Sequence, residues 1–154
     1  MTLRAIEINK STYEKPVDVP QGIGRAGQVD IKLFLPPIDI PEYILPAYNE
    51  VKDIFLIEFK YSSREKEKKL FEDELINFIV GEFSGKPLRI EMKNIRQNKI
   101  DKISLTNIIK ENISHVMQER LRHINNLRER TNLLRAKEVL EQKAPEIAQE
   151  MVMA

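Results

Sequence analysis

The rhythm of hydrophobic and polar positions changes twice along the chain. In residues 1–50 apolar side chains alternate only at Val29, Ile31 and the pair Phe34 and Leu35, and six of the eight prolines and three of the five glycines fall here. That pattern predicts an irregular arm with one short strand. Within it, PPIDIPEYILPAYNE (36–50) carries prolines at 36, 37, 41 and 46. Prolines at that spacing remove backbone donors and forbid helix, so extended or polyproline-like backbone is expected. Ile38, Ile40, Tyr43, Ile44, Leu45 and Tyr48 are too apolar for a free linker and are expected to wrap the chain's own core or to meet a partner.

From Asp53 the pattern becomes regular. DIFLIEFKY has the Ile, Phe and Tyr content of a strand. Ser62 followed three residues later by Glu65 reads as a capping box. Behind it, Leu70, Phe71, Leu75, Phe78, Ile79 and Phe83 form one helical stripe that Gly85 would end. PLRIEMKNI then reads as a second strand. Strand, helix and strand joined this tightly make a βαβ unit with parallel strands and a right-handed crossover.

Asp101 or Ser104 opens the longest regular stretch, which runs to about Lys143 before Pro145. Ile113, Met117, Ile124, Leu127 and Leu134 follow the alternating spacing of a coiled-coil seam, interrupted at Arg120 and Thr131. A continuous helix of this length would reach roughly 60 Å. It must either fold back, with Asn125 and Asn126 as the turn, or project and pack against another chain. The expected architecture is an α+β or small α/β domain with a mixed sheet of about three or four strands. Its parts are a proline-rich arm (1–50), a βαβ core (51–100) and a long helical C-terminal element (101–154), all in one domain.

Composition narrows this picture. At 154 residues, with 42% hydrophobic and 32% charged residues, the chain is large enough to bury a core without a metal or a disulfide. It has no cysteine, which excludes disulfides, thiolate zinc sites, iron–sulfur clusters and a cysteine nucleophile. Glu7 interrupts the apolar residues of the N-terminus, and the longest aliphatic or aromatic run is only Ile54 to Ile57. Neither secretion nor membrane spanning is expected, which leaves the cytoplasm.

The net charge of +1 hides an uneven distribution, for residues 93–137 hold eleven basic against four acidic side chains. Arg120, Arg122, Arg128 and Arg130 within that stretch could pair with the phosphates of a duplex, or the stretch could be a solvated helix face. No Phe, Tyr or Trp follows Phe83, which counts against stacking on single strands.

Other motifs are weighed by context. Gly22, Gly24 and Gly27 spell GxGxxG, but they precede a strand instead of joining a strand to a helix, and no kinase catalytic motif accompanies them. A flexible loop is expected and no nucleotide cofactor. His115 and His123 lie eight residues apart, which is not the i, i+4 spacing of a helical zinc pair. Glu58-Phe59-Lys60, at the end of a strand and with Asp30 as a first carboxylate, resembles the metal-holding arrangement of PD-(D/E)xK nucleases. That resemblance implies a Mg²⁺ or Mn²⁺ site at Asp30 and Glu58, with Lys60 orienting water. Ile90-Glu91-Met92-Lys93 repeats the pattern on the next strand, as a charge ladder on an exposed sheet face would.

The function expected from these features is non-catalytic: a subunit or adaptor that binds other protein chains, in a homo- or hetero-oligomer. Ile38, Ile40 and Tyr43 of the arm and Ile113, Met117, Ile124, Leu127 and Leu134 of the helix are its candidate contacts. A nuclease built on Asp30, Glu58 and Lys60 is the alternative, and duplex binding by Arg120, Arg122, Arg128 and Arg130 the third.

Overall fold

Residues 62–83, whose apolar spacing suits a helix, form two strands instead. In the computed structural model, which describes residues 4–7, 17–19, 31–33 and 36–153, they pair as β6 (Glu67–Glu72) and β7 (Ile76–Gly81). The reversal between them is set by Asp73, whose carboxylate accepts from the amides of Leu75 and Ile76 at 2.7 and 2.6 Å. This side-chain mimic of a turn is a common use of aspartate. Past it, Ile76, Phe78 and Val80 alternate onto one buried face, and β-branched and aromatic side chains of this kind suit a pleated surface.

The remaining strands are β1 (Ile6–Glu7), β2 (Val17–Val19), β3 (Ile31–Leu33), β4 (Tyr43–Asn49), β5 (Ile54–Lys60) and β8 (Pro87–Lys93). β2 and β3 make a separate antiparallel ladder. The main sheet has six strands in the order β1-β4-β5-β8-β7-β6, and every pairing in it is antiparallel. The expectation of a mixed sheet of three or four strands around a βαβ unit is therefore corrected. β5 and β8 are neighbours, as in such a unit, but they run in opposite directions because the connection between them is a hairpin and not a helix. The α+β class itself stands. Strands β5 to β8 form a Greek key, in which residues 61–66 cross the end of the sheet before the β6-β7-β8 meander returns to β5.

In the proline-rich segment, a single 3-10 turn (Pro37–Asp39) precedes β4. Pro46 lies inside that strand. It is tolerated because β1, the neighbour on that side, pairs only with residues 43 and 44, so beyond them no ladder bond is lost there.

Helices cover one face of the sheet. α1 (Lys102–Asn107) runs through a π turn (Ile108–Asn112) into α2 (Ile113–Leu121), and α3 (Leu127–Met153) returns antiparallel to them. The long helix is thus broken over residues 122–126. Asn126 starts α3 by accepting from the Glu129 amide at 3.1 Å, and the Arg130 side chain caps α2 at the Leu121 carbonyl. α3 continues through Pro145, because Ala144, Ile147, Ala148 and Met151 on the next turns are fully packed in the core. Burying these side chains outweighs the backbone bond that proline removes.

One polar cluster closes the fold. In the β7–β8 turn, Gly85 adopts φ +68°, and a side chain there would press on Glu129 of α3. The Ser62–Glu65 pair is not a helix cap. Glu65, on the crossing segment, accepts from the amides of Phe83 and Ser84 at 3.0 Å and from the Ser84 hydroxyl at 2.8 Å. Lys86, only 1% exposed, donates to the Ile38 carbonyl at 2.9 Å and to Ser63 Oγ at 3.4 Å. Its ammonium also lies 4.5 Å over the Tyr61 ring, 3.7 Å from Glu65 and 4.0 Å from Asp39. Buried Asp39 accepts from Arg128 through two bonds of 2.7 Å and from Asn132 at 3.1 Å. Burial would raise the Asp39 pKa, but the bonds from Arg128 and Asn132 and the nearby charges outweigh it and hold the carboxyl below its ordinary value. Glu65 is lowered against the same desolvation by its bonds to Ser84 and Phe83 and by Lys86.

Candidate functional site

Glu58 and Lys60 of the nuclease pattern lie on the half-exposed side of the sheet. On β5, Phe55, Ile57 and Phe59 point to the helices, while Ile54, Leu56, Glu58 and Lys60 are half-exposed on the opposite face. Lys60 Nζ pairs with Glu58 at 2.9 Å. Across the ladder, Arg89 stands opposite Glu58 and pairs with Glu91 at 3.0 Å and with Glu67 at 2.9 Å. Glu58, Lys60, Glu67 and Arg89, with Tyr61, Ser63, Arg64 and Glu65, line a groove of about 390 Å³. Its carboxylates face lysine and arginine. Asp30 lies outside the described residues, and among those described no three His, Asp or Glu side chains are grouped so as to hold a metal ion.

The four candidate arginines are engaged within the fold. Arg128 holds Asp39, Arg130 caps α2, Arg122 pairs with Glu119 at 3.5 Å, and Arg120 lies 5.8 Å over the Phe71 ring. His115 and His123, too far apart in sequence for a zinc pair, share one hollow of about 350 Å³ with Phe71, Glu119 and Arg120. Residues 115 and 119 share a face of α2, and His123 follows in the turn after its end.

The partner candidates divide. Ile113 and Met117 are wholly buried, and Ile40, Ile124 and Leu134 pack on the same core. Leu127 and Tyr43 are half-buried, the latter opposite Lys60. Ile38 remains 48% exposed.

A surface not singled out in the sequence lies at the other end of the sheet, where the β4–β5 turn meets the β8–α1 connection. Asp53 joins the two. Its carboxylate accepts from the Tyr48 hydroxyl at 3.0 Å and from the amides of Arg96 and Gln97 at 3.3 and 2.9 Å, and its carbonyl accepts from the Asn94 amide at 2.9 Å. Desolvation, and donation to Asp53, push the Tyr48 hydroxyl above its usual range, so it remains a donor. The Arg96 guanidinium stacks 4.0 Å over Tyr48, which itself stacks on Phe55. Beyond it, the Lys99 and Ile100 amides close back on the carbonyls of Arg96 and Ile95. Asp101 then caps α1 through the Ser104 amide at 2.8 Å, which lowers its pKa.

Three residues other than glycine have positive φ among the described residues, and all three are here: Asp53 at 50°, Asn94 at 59° and Lys99 at 51°. Aspartate and asparagine tolerate this region, but lysine does so at a cost of about 1–2 kcal/mol. Such local strain concentrates where a side chain must be held for another purpose. Between these segments and the end of α3 opens a groove of about 480 Å³ lined by Phe55, Ile95, Arg96, Lys99, Ile100, Asp101, Lys102, Leu105, Met151 and Val152. Of the exposed aliphatic side chains at this end, Val152 (48%) belongs to the lining, while Ile103 (75%) is on α1 and Val51 (94%) on the β4–β5 turn. Lys99→Gly is expected to raise the unfolding free energy by about 0.5–1 kcal/mol, relieved strain being partly offset by chain entropy. Calorimetric melting of the two proteins checks it, and an unchanged or lower midpoint would contradict the strain.

Among the described residues no helix is long and apolar enough to cross a membrane. Comparison with protein-family models, with curated proteins and with solved structures finds no match for the chain.

Proposed function

We propose that the chain is a non-catalytic subunit or adaptor that binds a different protein chain through the end of the sheet where β4–β5 meets β8–α1. The observation that carries this reading is a groove with an apolar floor and cationic walls that has exposed Val152 in its lining, with exposed Ile103 and Val51 on the α1 and β4–β5 segments at this end of the sheet. Isolated exposed aliphatics need no explanation, but three at one end of a sheet, one of them in the lining of a groove, support an interaction surface. Ile113 and Met117 of the helix seam are wholly buried in this chain's own core and have no surface to offer a partner. A symmetric pairing of two copies is disfavoured, because it would set Lys99 and Lys102 of each copy against the same cations of the other.

A photo-crosslinking residue placed at position 103, in the native host, is expected to trap one discrete second protein. The same residue in place of exposed Lys68, on the edge strand β6, is expected to trap none. Equal labelling from both positions, or none from position 103, would overturn the proposal.

A further inference from the structure

The groove at the sheet end has a chemistry of its own, which bears on the partner if the protein-binding reading above holds. Its walls carry Arg96, Lys99 and Lys102, and the single acid in its lining, Asp101, is occupied as the cap of α1. Asp53, behind it, is surrounded by three donors. Lys99 and Lys102 are exposed and form no ion pair among the described residues. Neither position is left to chance. Hydrogen bonds of 2.9 to 3.2 Å at Gln97, Asn98, Lys99 and Ile100 fix the connection, and a left-handed backbone at residue 99 sets where its side chain leaves the chain. Between the cations, half-buried Ile100 and, at the end of α3, Val152 offer apolar surface.

We infer that this groove takes a short acidic segment of the partner protein, with carboxylates meeting Lys99 and Lys102 and one aliphatic or aromatic side chain seated against Ile100 and Val152. Three cations around a concave, partly apolar groove fit a peptide. An anionic membrane is bound by broader clusters of about 4–8 basic residues, and a duplex by a longer run of phosphate contacts. The Arg96 guanidinium, stacked on Tyr48, serves as a rigid wall.

The test uses the whole chain. A display library of random peptides is selected on the wild-type protein, and the enriched peptides are measured by fluorescence anisotropy. Phosphatidylserine vesicles and a labelled DNA duplex are measured alongside. Enriched peptides are expected to combine several Asp or Glu with a Leu, Ile or Phe. Their affinity is expected to fall about tenfold or more in the Lys99→Glu, Lys102→Glu double variant and to weaken with salt. Val152→Ser should weaken them as well while leaving the salt dependence intact. Circular dichroism checks that the variants remain folded, as substitutions at exposed positions should allow.

Enriched peptides without acidic bias, or peptides that bind the double variant equally well, would overturn the inference. So would Lys99- and Lys102-dependent binding of the vesicles or the duplex in place of peptides. If position 103 still crosslinks a partner while acidic peptides fail to bind, the acidic chemistry falls and the docking surface stands. If both fail, both readings fall.

Discussion

Asp39→Ala is expected to lower the unfolding free energy by about 3–5 kcal/mol, the range seen when one partner of a buried ionic cluster is removed. The carboxylate is fully enclosed and takes three hydrogen bonds, two from Arg128 and one from Asn132. Without it, Lys86 stays buried with one nearby carboxylate, Glu65, and Asn132 keeps only its bond to the Ser84 carbonyl. Arg128, 40% exposed at its side chain, can turn to water. Most of the loss therefore arises at Lys86, so adding Lys86→Met to Asp39→Ala is expected to recover roughly half of it. Urea titrations read both as shifts of midpoint at constant slope. A wild-type midpoint in Asp39→Ala would sink this account.

The same cluster sets an acid limb. Asp39 and Glu65 are held below their ordinary values of 3.8 and 4.5, so the folded chain binds fewer protons than the unfolded one. Their contribution is complete above those values and is lost as pH falls through the lower, folded-state pKa of each. The wild type should lose stability on acidification below about pH 4.5, and Asp39→Ala should show a shallower loss.

Ile113→Ala and Met117→Ala are each expected to cost about 2–5 kcal/mol, because both side chains are enclosed and their removal leaves a cavity. The two share one helix face, so the double variant is expected to unfold the domain at room temperature. A seam that served another chain would behave differently: truncation would release the partner and leave the monomer's melting point unchanged. Parallel measurement of melting and of oligomeric state on the single variants separates these outcomes.

The helix seam and the helix of residues 62–83 show why the sequence was only partly legible. A run with apolar side chains at three- and four-residue intervals satisfies a helix, a coiled coil and two short strands with a turn, and only the position of Asp73 favours the last. β5 was legible from its aromatic and β-branched content, and β8 from the alternation of apolar and charged residues over Arg89, Ile90, Glu91, Met92 and Lys93. Their direction was not, since it depends on what connects them. The helix break was marked by Asn125 and Asn126, and Asn126 is the cap. Glu58 and Lys60 do share a face, as their spacing requires. The sheet-end groove left no sequence signal, because its lining comes from β5, the β8–α1 connection, α1 and the last turn of α3. The closest trace was the basic excess after Lys93, which counted charges without showing which of them the fold would consume.

Arg128 and Asn132 reach back across 89 and 93 residues to Asp39, and this matters for synthesis. The whole Greek key, up to Lys93, leaves the ribosome before the helices that cover it. At about 5–20 residues per second, roughly 3–12 s separate the end of β8 from the last turn of α3. Throughout that interval Phe55, Ile57, Phe78, Ile90 and Met92 line an uncovered sheet face. The nascent chain is therefore at its most adhesive while the helices are still being made, and chaperones that hold apolar surface have their window there.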